Sequence, residues 1–241
     1  MINQVLHGDC LELMKNISTQ SIDMILCDLP YQVTARQKWD VIIPFEKLWE
    51  QYNRIIKNNG TIALFATEPF RSQLIVSNFK YFKYDLIWSK NKTTGFLNAK
   101  KQPLRQHESI LIFYKNKNIY NPQKTSGHAP VNSYTHKDGE RSLVYGKTKK
   151  FSGGGSTERY PTSILTFDVV NNDDPARKHS AQKPVKLCEY LIKTYSNEND
   201  VILDNCAGSG TTLIAAKNTN RRFIGMEREK LFYDICVDRL K

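Results

Sequence analysis

Short apolar runs, each closed by a polar or glycine-rich stretch, recur along this chain and alternate with stretches whose apolar positions lie three or four apart. The short runs at 4–7, 22–27, 61–65, 84–88, 109–114, 201–204 and 222–226 read as strands. Helical spacing marks 11–14, 45–56, 69–79, 184–195, 211–217 and 230–240. Pro69 and Pro184 open two of these helices, and Asn59-Gly60 reads as the stop after the second one. Ile22 to Cys27 is apolar almost throughout, as a strand covered on both faces is. Trp88 is assigned to the core rather than to an exposed stacking platform. Strands alternating with helices predict an α/β fold with a mainly parallel sheet and helices on both faces.

Residues 115–167 break the pattern. They are rich in Lys, Asn, Ser, Thr and Gly, include Gly153-Gly154-Gly155, and show little periodicity. So long a stretch inside an α/β chain is either functional or without fixed structure. It divides the chain into 1–114, an insertion at 115–167, and 168–241.

Ligands of such sheets bind at the carboxyl ends of the strands, and three ends here are unusually polar. "VILDNCAGSGTT" is strand, glycine turn and helix start, a shape that brings backbone N–H groups close to a ligand. "FIGME" then ends the next strand in Glu227, suited to a pair of ribose hydroxyls. Together they indicate a nucleoside-bearing cofactor. The dinucleotide fingerprint needs Gly or Ala where Leu213 stands, and no phosphate-cradling Gly-x-x-x-x-Gly-Lys-Ser/Thr loop is present, so a cofactor without phosphates suits the turn better. The other two polar ends are "HGD", with Asp9, and "CDLPYQ", with Asp28. Either aspartate alone has the simpler reading of a helix or turn cap, and Tyr31 that of ordinary turn packing.

Charge adds a polyanionic partner. Among 241 residues, 35 basic against 24 acidic give a net charge of +11. The excess is clustered: residues 86–107 carry five Lys/Arg and no acid, and 115–160 carry nine against three, interleaved with tyrosines. Such mixtures contact phosphates and stack on bases. No run reaches the ~18–20 apolar residues of a membrane span, and the first residues lack a signal-peptide pattern. Five scattered cysteines without a Cys-x-x-Cys pair indicate neither a metal site nor a disulfide framework, so the expected compartment is a reducing cytoplasm.

Five stretches in order, "GDCLELM", "SIDMILCDLPY", "HSAQKPVKLCEYLI", "LDNCAGSGTT" and "RRFIGMEREKLFYDIC", resemble the S-adenosylmethionine-dependent DNA amino-methyltransferases in their beta arrangement. The resemblance spans nearly the whole chain. It implies a Rossmann-like class I methyltransferase fold with seven strands, bacterial or phage origin, and frequent homodimers. In cofactor binding it implies Asp204, Ala207, Gly208 and Gly210 at the methionine end, with Asn205, Thr211 and Thr212 in the same turn. Lys183 and Pro184 would lie against the methionine moiety, Glu227 would take the ribose, Asp9 would face the adenine, and Cys10 and Asp28 would also contact the cofactor. Asn205-Cys206 stands where Pro-Phe is commoner.

In the same family the Asp28 carboxylate and the Leu29 carbonyl would accept the two N–H bonds of a base amino group. Pro30 would hold Leu29 extended, and Tyr31 would stack on a base flipped out of duplex DNA. The usual form is Asp-Pro-Pro-Tyr, and Leu29 is the departure, at a position that supplies only main chain. An aspartate in first place favours adenine N6, with cytosine N4, or a nucleic-acid-binding module without catalysis, as alternatives. The expected DNA contacts are Lys100, Lys101, Arg105 and His107, near Phe96, and in the insertion Lys124, Arg141, Lys147, Lys149, Lys150 and Arg159.

Overall fold

All six residues of Ile22–Cys27 are buried, because the strand lies inside a sheet with helices on either side. The computed structural model describes residues 1–32, 40–136, 151–171 and 182–241. In chain order the first elements are β1 (Gln4–His7), α1 (Cys10–Met14), β2 (Ile22–Cys27), α2 (Phe45–Ile55), β3 (Ile56–Ala66) and α3 (Phe70–Ser77). There follow β4 (Phe82–Thr94), β5 (Arg105–Phe113), β6 (Tyr134–His136), β7 (Phe151–Gly153) and β8 (Ile164–Thr166). The last are α4 (Val185–Tyr195), β9 (Val201–Asp204), α5 (Thr211–Asn218), β10 (Arg222–Glu227) and α6 (Lys230–Leu240).

The main sheet runs β1-β10-β9-β2-β3-β5-β4-β8. Pairing is parallel from β1 through β3 and again between β4 and β8, whereas β5 is antiparallel to both of its neighbours. The expectation of seven strands is corrected to eight: Ile164–Thr166 adds an edge strand beside Ile87–Ser89. Three residues were too few to register as a run.

Alternation along each strand builds two cores. Ile25, Cys27, Ile62, Leu64, Leu111 and Phe113 meet α1, α2 and α3 through Met14, Leu48, Tyr52, Ile55 and Phe70. Met24, Leu26, Ala63, Phe65, Ile110 and Ile112 meet α4, α5 and α6 through Leu187, Leu191, Ala215 and Cys236. Trp88 is buried as expected, its indole N–H donating to the Phe167 carbonyl at 2.8 Å.

Asn59-Gly60 does not follow the helix as its stop. Helix α2 ends at Ile55, β3 begins at Ile56, and the register against β2 jumps from Ile22↔Ile56 to Met24↔Thr61. Residues 57–60 form a bulge that reaches around Asp23, whose carboxylate accepts from Lys57 at 2.6 Å and from the Val201 N–H at 2.9 Å. A glycine is needed there: a Cβ on Gly60 would lie 2.8 Å from the Asp23 carbonyl.

By internal contacts the chain divides into one unit of Met1–Asn121 with Ser163–Lys241 and a second unit of Pro122–Thr162. Within the second, β6 and β7 pair antiparallel and the Tyr134 and Phe151 rings meet edge to face at 6.0 Å. Among the described residues no helix is long and apolar enough to cross a membrane.

Helix α5 packs closely on β10 at Gly225. A Cβ on Gly225 would come within 2.3 Å of Leu213 Cδ1, so the close packing expected of a small residue on the helix is achieved by a glycine on the strand. Gly225→Ala should therefore destabilise the protein by about 1–3 kcal/mol in urea unfolding. Adding Leu213→Ala should cost less than the sum of the two single changes. An unchanged midpoint for Gly225→Ala would remove the argument.

Candidate active site

Because β1, β10, β9 and β2 are parallel and adjacent, their carboxyl ends share one edge of the sheet. Asp9, Glu227, Asp204 and Asp28 follow or end these four strands, so acids up to 218 positions apart become near neighbours. They line one cavity of about 380 Å³, within the range of small-molecule sites. Among the described residues no group of His, Cys, Asp or Glu has the arrangement of a metal site.

One half of the cavity is built from backbone and acids. Asp9 caps α1, its Oδ1 accepting from the Leu11 and Glu12 N–H groups at 2.8 and 3.4 Å, so the capping reading holds while the residue also lines the cavity. Glu227 is oriented by two main-chain donors, Gly208 N–H to Oε2 and Glu229 N–H to Oε1, both at 2.8 Å. A carboxylate accepts about four hydrogen bonds, which leaves room for a ligand's hydroxyls. Gly208 has φ +51 and open space where a Cβ would stand. Gly210 is a structural glycine: φ is +83, a Cβ would meet Cys236 Sγ at 2.5 Å, and it does not line the cavity. Pro184 does not line it either; it precedes α4.

Asp204 is buried, and that burial pushes its carboxyl up to about 6 against the pull of the Thr212 hydroxyl and the Cys206 N–H. The Cys206 N–H donates to Asp204 Oδ1 at 3.1 Å. Asn205 is turned into the core, where its Oδ1 accepts from the Tyr52 hydroxyl at 2.5 Å, which is what an amide can do where a proline could not. The Thr211 hydroxyl is buried on the cavity wall with no hydrogen-bond partner among the described residues. The hydrogen bond from Cys206, then burial, pushes the Cys10 thiol well up, so it offers no thiolate nucleophile. Acids, an unused hydroxyl and a bare glycine suit a ligand with hydroxyls and a cationic group and without phosphates.

The other half is organised by charge. Asp28 accepts from the Tyr31 hydroxyl on Oδ1 and from Lys183 on Oδ2. Lys183 also pairs with Glu108 at 3.4 Å, and Glu108 with Lys90, giving a chain Asp28–Lys183–Glu108–Lys90. Burial pulls Lys183 toward the neutral amine, but Asp28 and Glu108 outweigh it and hold the ammonium above the ordinary lysine value. Burial likewise pushes Glu108 up, and Lys183 and Lys90 more than reverse it, leaving that carboxyl below its ordinary value. The Tyr31 ring stacks on Phe70 at 4.9 Å. The Leu29 side chain is in the core at 4% exposure, so only its main chain is free for chemistry, and Pro30 lines the cavity beside it.

Glu108 and Lys90 escaped the sequence reading. The available signal was the acid that ends the basic stretch 86–107, at the head of an apolar strand; its partner is visible only once β4 and β5 pair, Trp88 opposite Glu108. Of the expected nucleic-acid residues, Arg105 lines the cavity, and Lys100, Lys101 and His107 are exposed in the same hairpin. In the second unit Lys124 pairs with Glu158 at 2.9 Å. Arg159 there donates to the Ser156, Glu158 and Ala129 carbonyls. Arg141, Lys147, Lys149 and Lys150 lie outside the described residues.

Residues 22–238 match the model of a family described as DNA methylase. The chain is 30% identical to the type II methyltransferase M2.LlaDCHI of Lactococcus lactis subsp. cremoris, over 98% of this chain and 88% of that one. In fold it resembles the crystal structure of the M1.HpyAVI–SAM complex, with a TM-score of 0.65 at 23% identity over 99% of this chain and 98% of that one. It likewise resembles the cytosine-N4-specific PvuII DNA methyltransferase, with a TM-score of 0.70 at 14% identity over 98% and 85%.

The Asp204 environment has a measurable signature. Its carboxyl is raised from 3.8 to about 6, so between those values the native state binds more protons than the unfolded one and stability falls as pH rises. Asn at this position keeps the acceptor for the Cys206 N–H and carries no charge. Asp204→Asn should thus be more stable than the wild type above about pH 7, by on the order of 2–3 kcal/mol. The two should converge near about pH 4 in urea unfolding. A variant that is less stable at about pH 7.5 would contradict the assignment.

Proposed function

This chain belongs to the DNA methylase family matched by its residues 22–238, and from that premise we propose that it transfers a methyl group from S-adenosylmethionine to N6 of an adenine flipped out of duplex DNA. The observation that carries the reading is the single cavity lined both by Asp28 and by Asp204, Gly208 and Glu227, so that methyl donor and acceptor share one room.

S-adenosylmethionine supplies, when bound, a methyl group on a positively charged sulfur. Glu227 takes the ribose hydroxyls with its remaining acceptor sites. Asp204 and the Thr211 hydroxyl hold the methionine end, where an ammonium group offsets the charge that burial makes costly on Asp204. Asp9 and Cys10 face the adenine of the cofactor. Asn205, Ala207 and Thr212 shape the turn, and Gly210 lets it close on Cys236. Lys183 acts through Asp28, to which it is bonded.

The exocyclic amino group of a base is a weak nucleophile because its lone pair is delocalised into the ring. Asp28 and the Leu29 carbonyl accept its two N–H bonds and favour a tetrahedral nitrogen whose lone pair faces the methyl. As the N–C bond forms and the S–C bond breaks, nitrogen becomes positive, and the Asp28 carboxylate stabilises that charge until a proton is lost to water. Each oxygen of Asp28 holds one donor and keeps a second acceptor site for the incoming amino group. Tyr31, stacked on Phe70 through one face, offers the other face to the base. Adenine is favoured over cytosine by the aspartate in first place of the "DLPY" motif. The second unit, with Lys124 in it, and the hairpin carrying Lys100, Lys101, Arg105 and His107 supply phosphate contacts.

Incubation with labelled S-adenosylmethionine and genomic DNA, followed by nucleoside analysis, should give N6-methyladenine, and methylation-sensitive sequencing maps the site. N4-methylcytosine would reassign the base. DNA binding without saturable cofactor binding would mark a module without catalysis.

Asp28→Ala should lower transfer by at least about a thousandfold while leaving the cofactor Kd within a few-fold. Activity at the wild-type level would mean the reacting centre is elsewhere. Leu29→Ala should separate the two roles of that residue: about 2–4 kcal/mol lost in urea unfolding, with kcat retained within a few-fold at a temperature where the variant is folded.

A further inference from the structure

Strands β4 and β5 form a hairpin whose last paired residues, Thr94 and Arg105, line the cavity. Beyond them Gly95 adopts φ +90 with nothing near its Cβ position, and a single 3-10 turn follows at Phe96–Asn98. The turn is fixed by its own backbone: Asn98 N–H donates to Gly95 at 2.9 Å, Ala99 N–H to Phe96 at 3.0 Å and Lys101 N–H to Asn98 at 2.8 Å. Its two large apolar side chains have no packing role, for Phe96 is 81% and Leu97 98% exposed. The same hairpin carries Lys92, Lys100, Lys101 and Arg105, all exposed, and residues 89–107 contain no acid.

An apolar tip on a hairpin whose charged residues from 89 to 107 are all basic is matched to a polyanion with an apolar interior. A base drawn out of a duplex leaves such an interior, a gap faced above and below by its former stacking neighbours. The tip is also in the right place, since Phe96 lies two residues, or no more than about 7 Å of chain, from the cavity wall at Thr94. Resting on the reading of the chain as a base-flipping DNA methylase, we propose that the β4–β5 tip is a wedge: Phe96 and Leu97 enter the stack at the position of the flipped base, while Lys92, Lys100 and Lys101 bind the flanking phosphates. The tip thereby keeps the duplex from reclosing on the base.

The test compares wild type with the F96A/L97A variant on two duplexes carrying the sequence mapped above, one fully paired and one with a mismatch opposite the target base. Both side chains are solvent-exposed, so the unfolding midpoint should not change. On the paired duplex the variant should lose at least about tenfold in kcat/KM. On the mismatched duplex, where extrusion is easier, it should return to within about threefold of wild type. With 2-aminopurine at the target position, the fluorescence rise on binding should be smaller for the variant on paired DNA. Equal activity of variant and wild type on the paired duplex would overturn the wedge. So would an equal loss on both duplexes, which would make the tip a general DNA contact. Absence of transfer by the wild type to any DNA would instead overturn the underlying reading, and the wedge with it.

Discussion

Parallel pairing of strands covered on both faces is the constraint on which the rest of this molecule depends. A parallel strand cannot return through a tight turn, so each must be followed by a crossover that packs a helix on the sheet. The two cores follow from this: Ile25 and Cys27 serve one face and Met24 and Leu26 the other, within a single strand. The same constraint puts the carboxyl ends of β1, β10, β9 and β2 on one edge. Polar groups that would be costly inside the sheet are therefore gathered where each strand leaves it.

Gathering acids in a partly closed cavity has an electrostatic cost, and the protein meets it in two ways. On one side, main-chain N–H groups fix Glu227 and cap-type bonds fix Asp9, so neutral dipoles orient the charges and leave acceptor sites free. On the other side, Lys183 stands between Asp28 and Glu108, with Lys90 beyond. Buried pairs of this kind add little net stability once desolvation is counted. Their use here is geometric, because a carboxylate held on both oxygens by Tyr31 and Lys183 presents its remaining acceptor sites in a defined orientation.

Particular residues show where local pattern was enough. Strands 4–7, 22–27 and 201–204 and helix 230–240 have the bounds their spacing indicated, the strands because each is a short run closed by a polar residue or a turn. Elsewhere a distant contact overrode the local signal. Asn59-Gly60 has the composition of a helix stop, yet the chain there must bulge around Asp23, and only a glycine passes its carbonyl. Leu213 departs from a small-residue rule that the strand glycine Gly225 satisfies from the other side. Leu29 departs from the commoner proline, and its side chain lies in the core where its chemistry is not needed.

The sequence by itself determined the α/β class, most element positions, the glycine turn with its acidic partner Glu227, and Asp28 at a strand end. These are properties of short windows, set by periodicity, by φ > 0 at glycine and by the stiffness of proline. What only the tertiary structure decided was the company those residues keep. Glu108 and Lys90 reached the site because antiparallel pairing laid β5 beside β4, Lys183 because the chain returns to Asp28 after 155 residues. Ile164–Thr166 became a strand because β4 offered an open edge. Pairings between distant segments depend on packing and charge across the whole fold, and no local stretch of sequence encodes them.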